Sequence, residues 1–179
     1  MKTVLEVIQL RKSIRAYQDK ALPKNIIKDI LEAARNAPTA RNLQELEYRV
    51  VTNKALIEKM NEGIYKAVQS EGMPLKGPPG AKPNFFYGAP ALFIIIAPKD
   101  NLWATVDAGL AAQNIMLYAT SIDLGSVFIG MAKLIEKDKA LLKALNIGAD
   151  KTIVATVICG YPAEDPAPKE KKLHAEFFE

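Results

Sequence analysis

A continuous apolar run, Ala91 to Ala97, limits the folds open to this chain more than any other feature. Its side chains show no alternation, so as a strand it has to be buried on both faces, at the centre of a sheet. Even extended to Ala89 and Pro98, the run is too short to span a bilayer. The run therefore predicts the central strand of a protein that does not enter a membrane.

The segments around this run mix helical and strand patterns without a regular βαβ alternation. Pro23 opens the clearest helix, an apolar stripe repeats from Ile26 to Ala34, and Pro38 stops it. We predict an α+β fold, with one small mixed or antiparallel sheet, helices on both faces and a single domain over 1–179. The predicted helices are 3–10, 22–38, 54–70, 103–121 and 134–146, the predicted flanking strands are 47–52 and 152–159, and 124–130 is predicted to be a loop.

Glycine and proline crowd the segment 72–83, which excludes regular structure there. A long irregular insertion in a compact domain is often an active-site cover. We therefore expect this loop to lie over a functional site.

Basic residues cluster near both ends of the chain. Arg11, Ser13 and Arg15 alternate, so in an extended segment they share one face, and Lys169 and Lys171 repeat that spacing. Two guanidinium groups and a hydroxyl suit a phosphate monoester. From spacing alone, a solvated basic surface is the commoner explanation, and both readings stay open at this point.

Other function classes find little support. The net charge of +4 is too small to indicate nucleic acid, and the chain has neither a GxGxxG nor a Walker A pattern. The single cysteine, Cys159, excludes an internal disulfide, indicates a cytoplasmic protein and is expected in the core. His174 has no partners at metal-ligand spacing. The carboxylates Glu136, Asp138, Glu164 and Asp165 are expected to be solvated surface.

Five motifs, in order along nearly the whole chain, resemble the nitroreductase family. They are Arg11-Lys12-Ser13-Ile14-Arg15, Glu32-Ala33-Ala34 leading into Ala37-Pro38-Thr39-Ala40-Arg41-Asn42-Leu43-Gln44, Phe86 to Pro90, Asp107 to Asn114 with Leu124 to Gly130, and Gly160-Tyr161-Pro162 followed by Lys169 and Lys171. The resemblance implies a homodimer with FMN at the subunit interface and a C-terminal tail extending onto the partner.

The resemblance also implies which residues hold the cofactor. Residues of the first segment, Arg11, Lys12, Ser13 and Arg15, would bind the phosphate and ribityl end, and Arg15 could instead reach the pyrimidine edge. Lys169 and Lys171 would add phosphate contacts. Pro38, Thr39, Ala40 and Asn42 would border the ring from the other subunit. The backbone of Leu124, Gly125 and Ser126 would face the ring at N5, and no catalytic side chain is required.

Family membership implies hydride transfer from NADH or NADPH to a nitroaromatic, a quinone or a similar small acceptor by a ping-pong mechanism. Where the family commonly has Gly and Pro, this chain has Arg41 and Glu45, which could change substrate choice. Three alternatives remain: an FMN sensor or storage protein without turnover, a dehalogenase-type flavoenzyme, and a phosphate-backbone binder.

Overall fold

The computed structural model describes residues 2–75 and 82–178, and the strand predicted from the apolar run lies inside its sheet. Strand β2, Ala91–Pro98, has β1, Glu47–Val51, on one side and β4, Lys151–Gly160, on the other. Every residue of β2 except Pro98 is buried. The prediction of a central strand buried on both faces is confirmed.

The sheet has four strands in the order β1-β2-β4-β3, and every neighbouring pair is antiparallel. Strand β3, Gly125–Phe128, pairs with the end of β4, with Ser126 opposite Cys159. The prediction of a loop over 124–130 was therefore wrong for these four residues. Their short length and flanking glycines hide the strand in the sequence, and the ladder to β4 stabilises it.

Five α-helices surround the sheet in the described residues: α1, Val4–Leu10; α2, Lys24–Arg35; α3, Lys54–Ser70; α4, Ala104–Ser121; and α5, Lys139–Ala144. Side chains satisfy free backbone amides at the starts of α1, α3 and α5. The Thr3 hydroxyl and the Glu6 carboxylate form a reciprocal capping box on α1, and the Asn53 side chain accepts from the Leu56 amide on α3. Helix α2 ends before Pro38, as predicted.

Two hydrophobic cores lie on opposite faces of the sheet. Met60, Ile64 and Val68 of α3 pack against one face, and α2 and α4 pack against the other. The alanines of α4, including Ala108 and Ala112, are buried and let α2 and the strands approach closely. The predicted α+β architecture with helices on both faces is confirmed.

The single helix predicted over 134–146 is two elements, a 3₁₀ helix, Gly130–Lys137, and α5. Asp138 separates them because its carboxylate accepts hydrogen bonds from the amides of Ala140 and Leu141 and so starts a new helix. The expectation that Asp138 is merely solvated surface was wrong.

Glu136, also expected at the surface, is a half-buried clamp between the 3₁₀ helix and β4. Its Oε1 accepts hydrogen bonds from the Thr152 hydroxyl at 2.8 Å, from the Lys133 ammonium at 2.9 Å and from the Ile153 amide. Burial works to raise the pKa of Glu136, but these three hydrogen bonds outweigh it and hold the pKa below its ordinary value.

The predicted cover, residues 72–83, is only partly visible, because 76–81 lie outside the described residues. At its far end, the Asn61 side chain donates to the Pro83 carbonyl at 3.0 Å and accepts from the Phe85 amide at 2.7 Å. Phe86 is fully buried in the core beside α3. These contacts anchor the chain where it enters β2, and the covering role stays a prediction.

Candidate cofactor site

The basic segment near the N-terminus lies directly along β3. Ser13 and Ser126 form a parallel bridge, and the Ile14 amide donates to the Ser126 carbonyl at 3.1 Å. Gly125 permits this approach, since a Cβ there would lie 2.9 Å from the Ile14 side chain. Two segments selected from the sequence, 11–15 and 124–126, are therefore neighbours.

The chain that follows β4 joins the same place from the other side. The Gln18 amide donates to the Tyr161 carbonyl and the Ala163 amide to the Ala16 carbonyl, each at 2.9 Å. The Tyr17 hydroxyl donates to the Ile14 carbonyl at 2.8 Å, and burial raises the pKa of this phenol. The segment 14–18 thus contacts both β3 and the chain at 161–163. The convergence of 11–15 with Lys169 and Lys171, which their shared spacing suggested, stays a prediction.

Two carboxylates fasten this junction. The Lys12 ammonium pairs with Asp165 at 2.7 Å, and the Glu164 carboxylate accepts from the Arg15 amide. Asp165 is 91% exposed, so its pairing with Lys12 is worth little by itself. Glu164 and Asp165 are exposed as expected, but they also fix the position of the 11–15 segment.

The remaining donors of the segment fit a phosphate. Arg11 is half-buried, Arg15 is exposed, and neither forms an ion pair with any carboxylate in residues 2–75 and 82–178. Ser13 offers a hydroxyl between them. Beside it, the buried Ser126 hydroxyl has no hydrogen-bond partner within the described part of the chain. Two uncompensated guanidinium groups and a hydroxyl are the donor set that recognises a phosphate monoester.

Among the described residues, no observed contact brings Lys169 or Lys171, the basic residues near the C-terminus, to this site. Lys169 and Lys171 are exposed, and within the described ranges neither makes a hydrogen bond or an ion pair. Within the described residues, the hydrogen bonds from the tail to the 11–15 segment are those of Glu164 and Asp165. The phosphate-binding role of both lysines stays a prediction.

The segment holding Pro38, Thr39, Ala40 and Asn42 is a rigid turn fixed to α4. The Ala40 amide donates at 3.0 Å to Asp107 Oδ1, and Asp107 is 3% exposed. Arg41, Asn42 and Gln44 all have left-handed φ angles, of 53°, 55° and 54°. Among the described residues no hydrogen bond joins this turn to 11–15 or to 124–126, an arrangement compatible with a turn that serves another subunit.

Asp107 is a positioning residue whose partner the sequence did not reveal. The sequence suggested only that it could cap or anchor its own helix. Its one signal was a carboxylate in the first turn of a helix that is otherwise almost free of charge. The partner, 67 residues away, depends on the tertiary fold.

The backbone amide of β3 that is available to a ligand lies near its C-terminal end, at Phe128, and not within 124–126, the residues selected from the sequence. The Leu124 amide already donates to the Ala119 carbonyl at 2.8 Å, so it is not available to a ligand. The Ile129 amide donates to the Thr156 carbonyl, and the alternation of an antiparallel ladder therefore turns the Phe128 amide away from β4. Phe128 is 44% exposed, and no atom lies within 4 Å of a Cβ placed on Gly130.

A cleft of about 430 Å³ opens at this end of β3. It is bounded by Phe128, Ile129 and Gly130 on one side and by Asn101, Ala104 and Thr105 at the start of α4 on the other. This volume lies in the range of small-molecule sites. The residues 128–130 are thus site candidates that the sequence reasoning missed, although Gly130 had marked the end of the predicted loop.

Burial makes the single cysteine, Cys159, unsuitable as a nucleophile. Cys159 is fully buried, and its burial raises the pKa of the thiol, which keeps it protonated and inert. The prediction that Cys159 belongs to the core is confirmed.

The fold is α+β, and its candidate site lies where the 11–15 segment meets β3 and the chain that follows β4. The model of the nitroreductase family matches residues 8–161. A relative in Methanothermobacter thermautotrophicus, named for NADH dehydrogenase or NAD(P)H nitroreductase activity, is 31% identical over 97% of this chain and 86% of its own length. One with the same name in Archaeoglobus fulgidus is 31% identical over 92% of this chain and 88% of its own.

The crystal structure of a nitroreductase with bound FMN from Bacteroides fragilis has the same fold. Its TM-score is 0.84 at 28% sequence identity, covering 100% of this chain and 98% of that chain. The chain described here belongs to the nitroreductase family.

Proposed function

We propose that this protein is an FMN-dependent oxidoreductase that passes electrons from NADH or NADPH to a nitroaromatic, a quinone or a similar small acceptor. The observation that carries the proposal is the junction of 11–15, β3 and 161–165, which leaves Arg11 and Arg15 without ion pairs in the described ranges beside the Ser13 hydroxyl. The bound FMN of the Bacteroides fragilis relative supports the choice of cofactor.

The phosphate end of FMN would be held by the basic segment. Arg11 and Ser13 would donate to phosphate oxygens, and Arg15, further along β3, would add the second guanidinium group to the phosphate and ribityl end. The alternative position for Arg15 is the pyrimidine edge. Lys12 already pairs with Asp165, so its contribution would be structural support unless that weak pair opens. Lys169 and Lys171 would reach the phosphate from the tail as point charges.

The ring end would lie over the open end of β3. FMN, when bound, supplies the hydride chemistry, accepting from the nicotinamide and giving to the acceptor. The chain's task is then to orient the ring and to place donors at its polar edge. The Phe128 amide would serve the N5 edge, because the Leu124 amide is already bonded to Ala119 and the ladder alternation turns the Gly125 amide toward β4.

A homodimer would complete the site, and each copy would act as one domain over residues 1–179. Pro38, Thr39, Ala40 and Asn42 would border the ring bound by the other copy. The exposed apolar side chains of α1 and α4 suit such an interface, as do those of the tail: Val4, Leu5, Ile8, Leu102, Val106, Leu110, Leu173, Phe177 and Phe178.

The site needs no nucleic acid or lipid. No helix of the described residues has both the length and the apolar character to cross a membrane. With its one thiol buried, the protein suits the reducing cytoplasm, where we place its activity.

The test is an absorption spectrum of the purified protein followed by turnover assays. We expect bands of bound flavin, FMN released on denaturation, and oxidation of NADH or NADPH coupled to menadione or nitrofurazone. A colourless protein that takes up no FMN would contradict the proposal. Bound FMN with neither nicotinamide able to bleach it would instead support the sensor or storage function.

A further inference from the structure

Arg41 stands apart from the other arginines of the site because its backbone is held in a conformation that its residue type rarely adopts. Its φ of 53° lies in the left-handed region, and Asn42 and Gln44 share that conformation. Non-glycine residues in this region cost of the order of 1 kcal/mol or more, and they persist where the surrounding structure fixes them.

The surrounding contacts fix this turn from both ends. The buried Asp107 holds the Ala40 amide, and the Thr39 hydroxyl accepts from the Gln44 amide at 3.1 Å. The Gln44 side chain donates to the Asn42 side chain at 2.8 Å. The base of the Arg41 side chain is therefore presented at a defined position, and little entropy would be lost when a ligand binds there.

The charge of Arg41 is not compensated within the chain. Arg41 is exposed and forms no ion pair with any carboxylate of residues 2–75 or 82–178. The nearby acid in sequence, Glu45, accepts instead from the Asn101 side chain at 2.9 Å. The turn thus carries a free guanidinium group between Ala40 and Asn42, two residues that the proposed function puts at the edge of the flavin ring.

We propose that Arg41 selects molecules with an anionic group, which it binds while they occupy the face of the ring. This inference rests on the proposed function and adds a substrate class to it. The anion could be a carboxylate of the electron acceptor or the 2′-phosphate that NADPH carries and NADH lacks, since guanidinium groups recognise both.

The test compares pairs of partners that differ by one anionic group in Arg41→Gln, Arg41→Lys and the native protein. In the oxidative arm, 4-nitrobenzoate is compared with 4-nitrobenzamide. In the reductive arm, stopped-flow reduction by NADPH is compared with reduction by NADH. The matched control is Arg35→Gln, which removes the same charge from an exposed arginine of α2 that pairs with Glu32 at 2.6 Å.

For each pair, the ratio compares kcat/KM for the partner with the additional anionic group to kcat/KM for the partner without it. We expect Arg41→Gln to lower this ratio by about tenfold or more in one arm, through a change in KM or Kd. Arg41→Lys should lie between, because it keeps the charge without the planar fork. The ratio should fall with added salt in the native protein and not in Arg41→Gln. The arm that responds identifies the source of the anion.

Unchanged ratios in both arms, with turnover intact, would overturn the inference and leave the proposed function standing. A tenfold loss of FMN affinity in Arg41→Gln would also overturn it, because Arg41 would then contact the cofactor. An FMN-loaded native protein that is reduced by neither NADPH nor NADH would contradict the proposed function itself.

Discussion

At the scale of single residues, two carboxylates hold separate segments together by accepting hydrogen bonds from backbone amides. Asp107 and Glu136 both lie against backbone amides of distant segments, at Ala40 and Ile153. A sequence offers only the charge of such residues, because the amide that each one satisfies comes from another part of the fold. This is why Glu136 was misassigned to the solvated surface and why the partner of Asp107 was not predicted.

Replacing Asp107 should loosen the turn that carries Ala40 and Arg41. Asp107→Ala leaves the Ala40 amide without its acceptor, so we expect a loss of about 1–3 kcal/mol in the free energy of unfolding. Asp107→Asn, which keeps one acceptor oxygen, should lose less. Urea unfolding measures both, with Asp100→Ala at an exposed turn as control. Equal stability of Asp107→Ala and the control would contradict the anchoring role.

Glu136 should make the free energy of unfolding depend on pH in the acid range. Its pKa is lowered by folding from an ordinary 4.5, so its contribution is fully present above that pH and is lost as pH falls through the folded-state pKa. We expect Glu136→Gln to be less stable at pH 7 by about 1–3 kcal/mol, with the gap to the native protein closing in acid. The control is Glu58→Gln, exposed on α3. A gap that stays constant from pH 7 to acid would refute this.

At the scale of elements, the strong patterns were read correctly. The apolar run gave the position of β2, and Pro23 with the stripe from Ile26 to Ala34 gave the position of α2, because burial on a fixed period depends on local spacing. Strand β3 was missed because four residues carry almost no period and depend on β4 for their hydrogen bonds. The division between the 3₁₀ helix and α5 depends on one cap, Asp138.

The contact between the 11–15 segment and β3 should be sensitive to a single methyl group at Gly125. In Gly125→Ala the added Cβ meets the Ile14 stem, which only the backbone can move, so the basic segment has to shift. We expect a destabilisation of about 1–3 kcal/mol and weaker FMN binding. Urea unfolding and fluorescence titration with FMN measure the two effects.

Gly63→Ala is the matched control for this change. There the added Cβ lies 2.6 Å from the flexible end of Leu141, in the packing of α3 against α5 and away from the 11–15 segment, and the side chain can turn away. Gly63→Ala should leave FMN affinity unchanged. If Gly125→Ala binds FMN as the native protein does, the close approach of the two segments has no part in the site.

At the scale of the whole molecule, the site depends on bringing together residues about 150 positions apart, as between Lys12 and Asp165. The alternate basic residues suggested a different meeting, of 11–15 with Lys169 and Lys171, which stays a prediction. The bridges at Ser13 and Tyr17 instead join 13–17 to β3 and to Pro162. The sequence could not show where the tail lies beyond Asp165, because the residues there have no periodic apolar pattern that would indicate which surface they pack against. The homodimer, in which the exposed faces of α1 and α4 would be buried against the second copy, also stays a prediction.

The most direct measurement of the central claim is a comparison of FMN and riboflavin binding to the cofactor-free protein. If Arg11, Ser13 and Arg15 hold a phosphate, the native protein should prefer FMN by about 100-fold or more, the effect of two charge-assisted hydrogen bonds. In Arg11→Gln/Arg15→Gln most of that preference should disappear, whereas Lys28→Gln, on the surface of α2, should keep it. Equal affinity of the native protein for FMN and riboflavin would contradict the account.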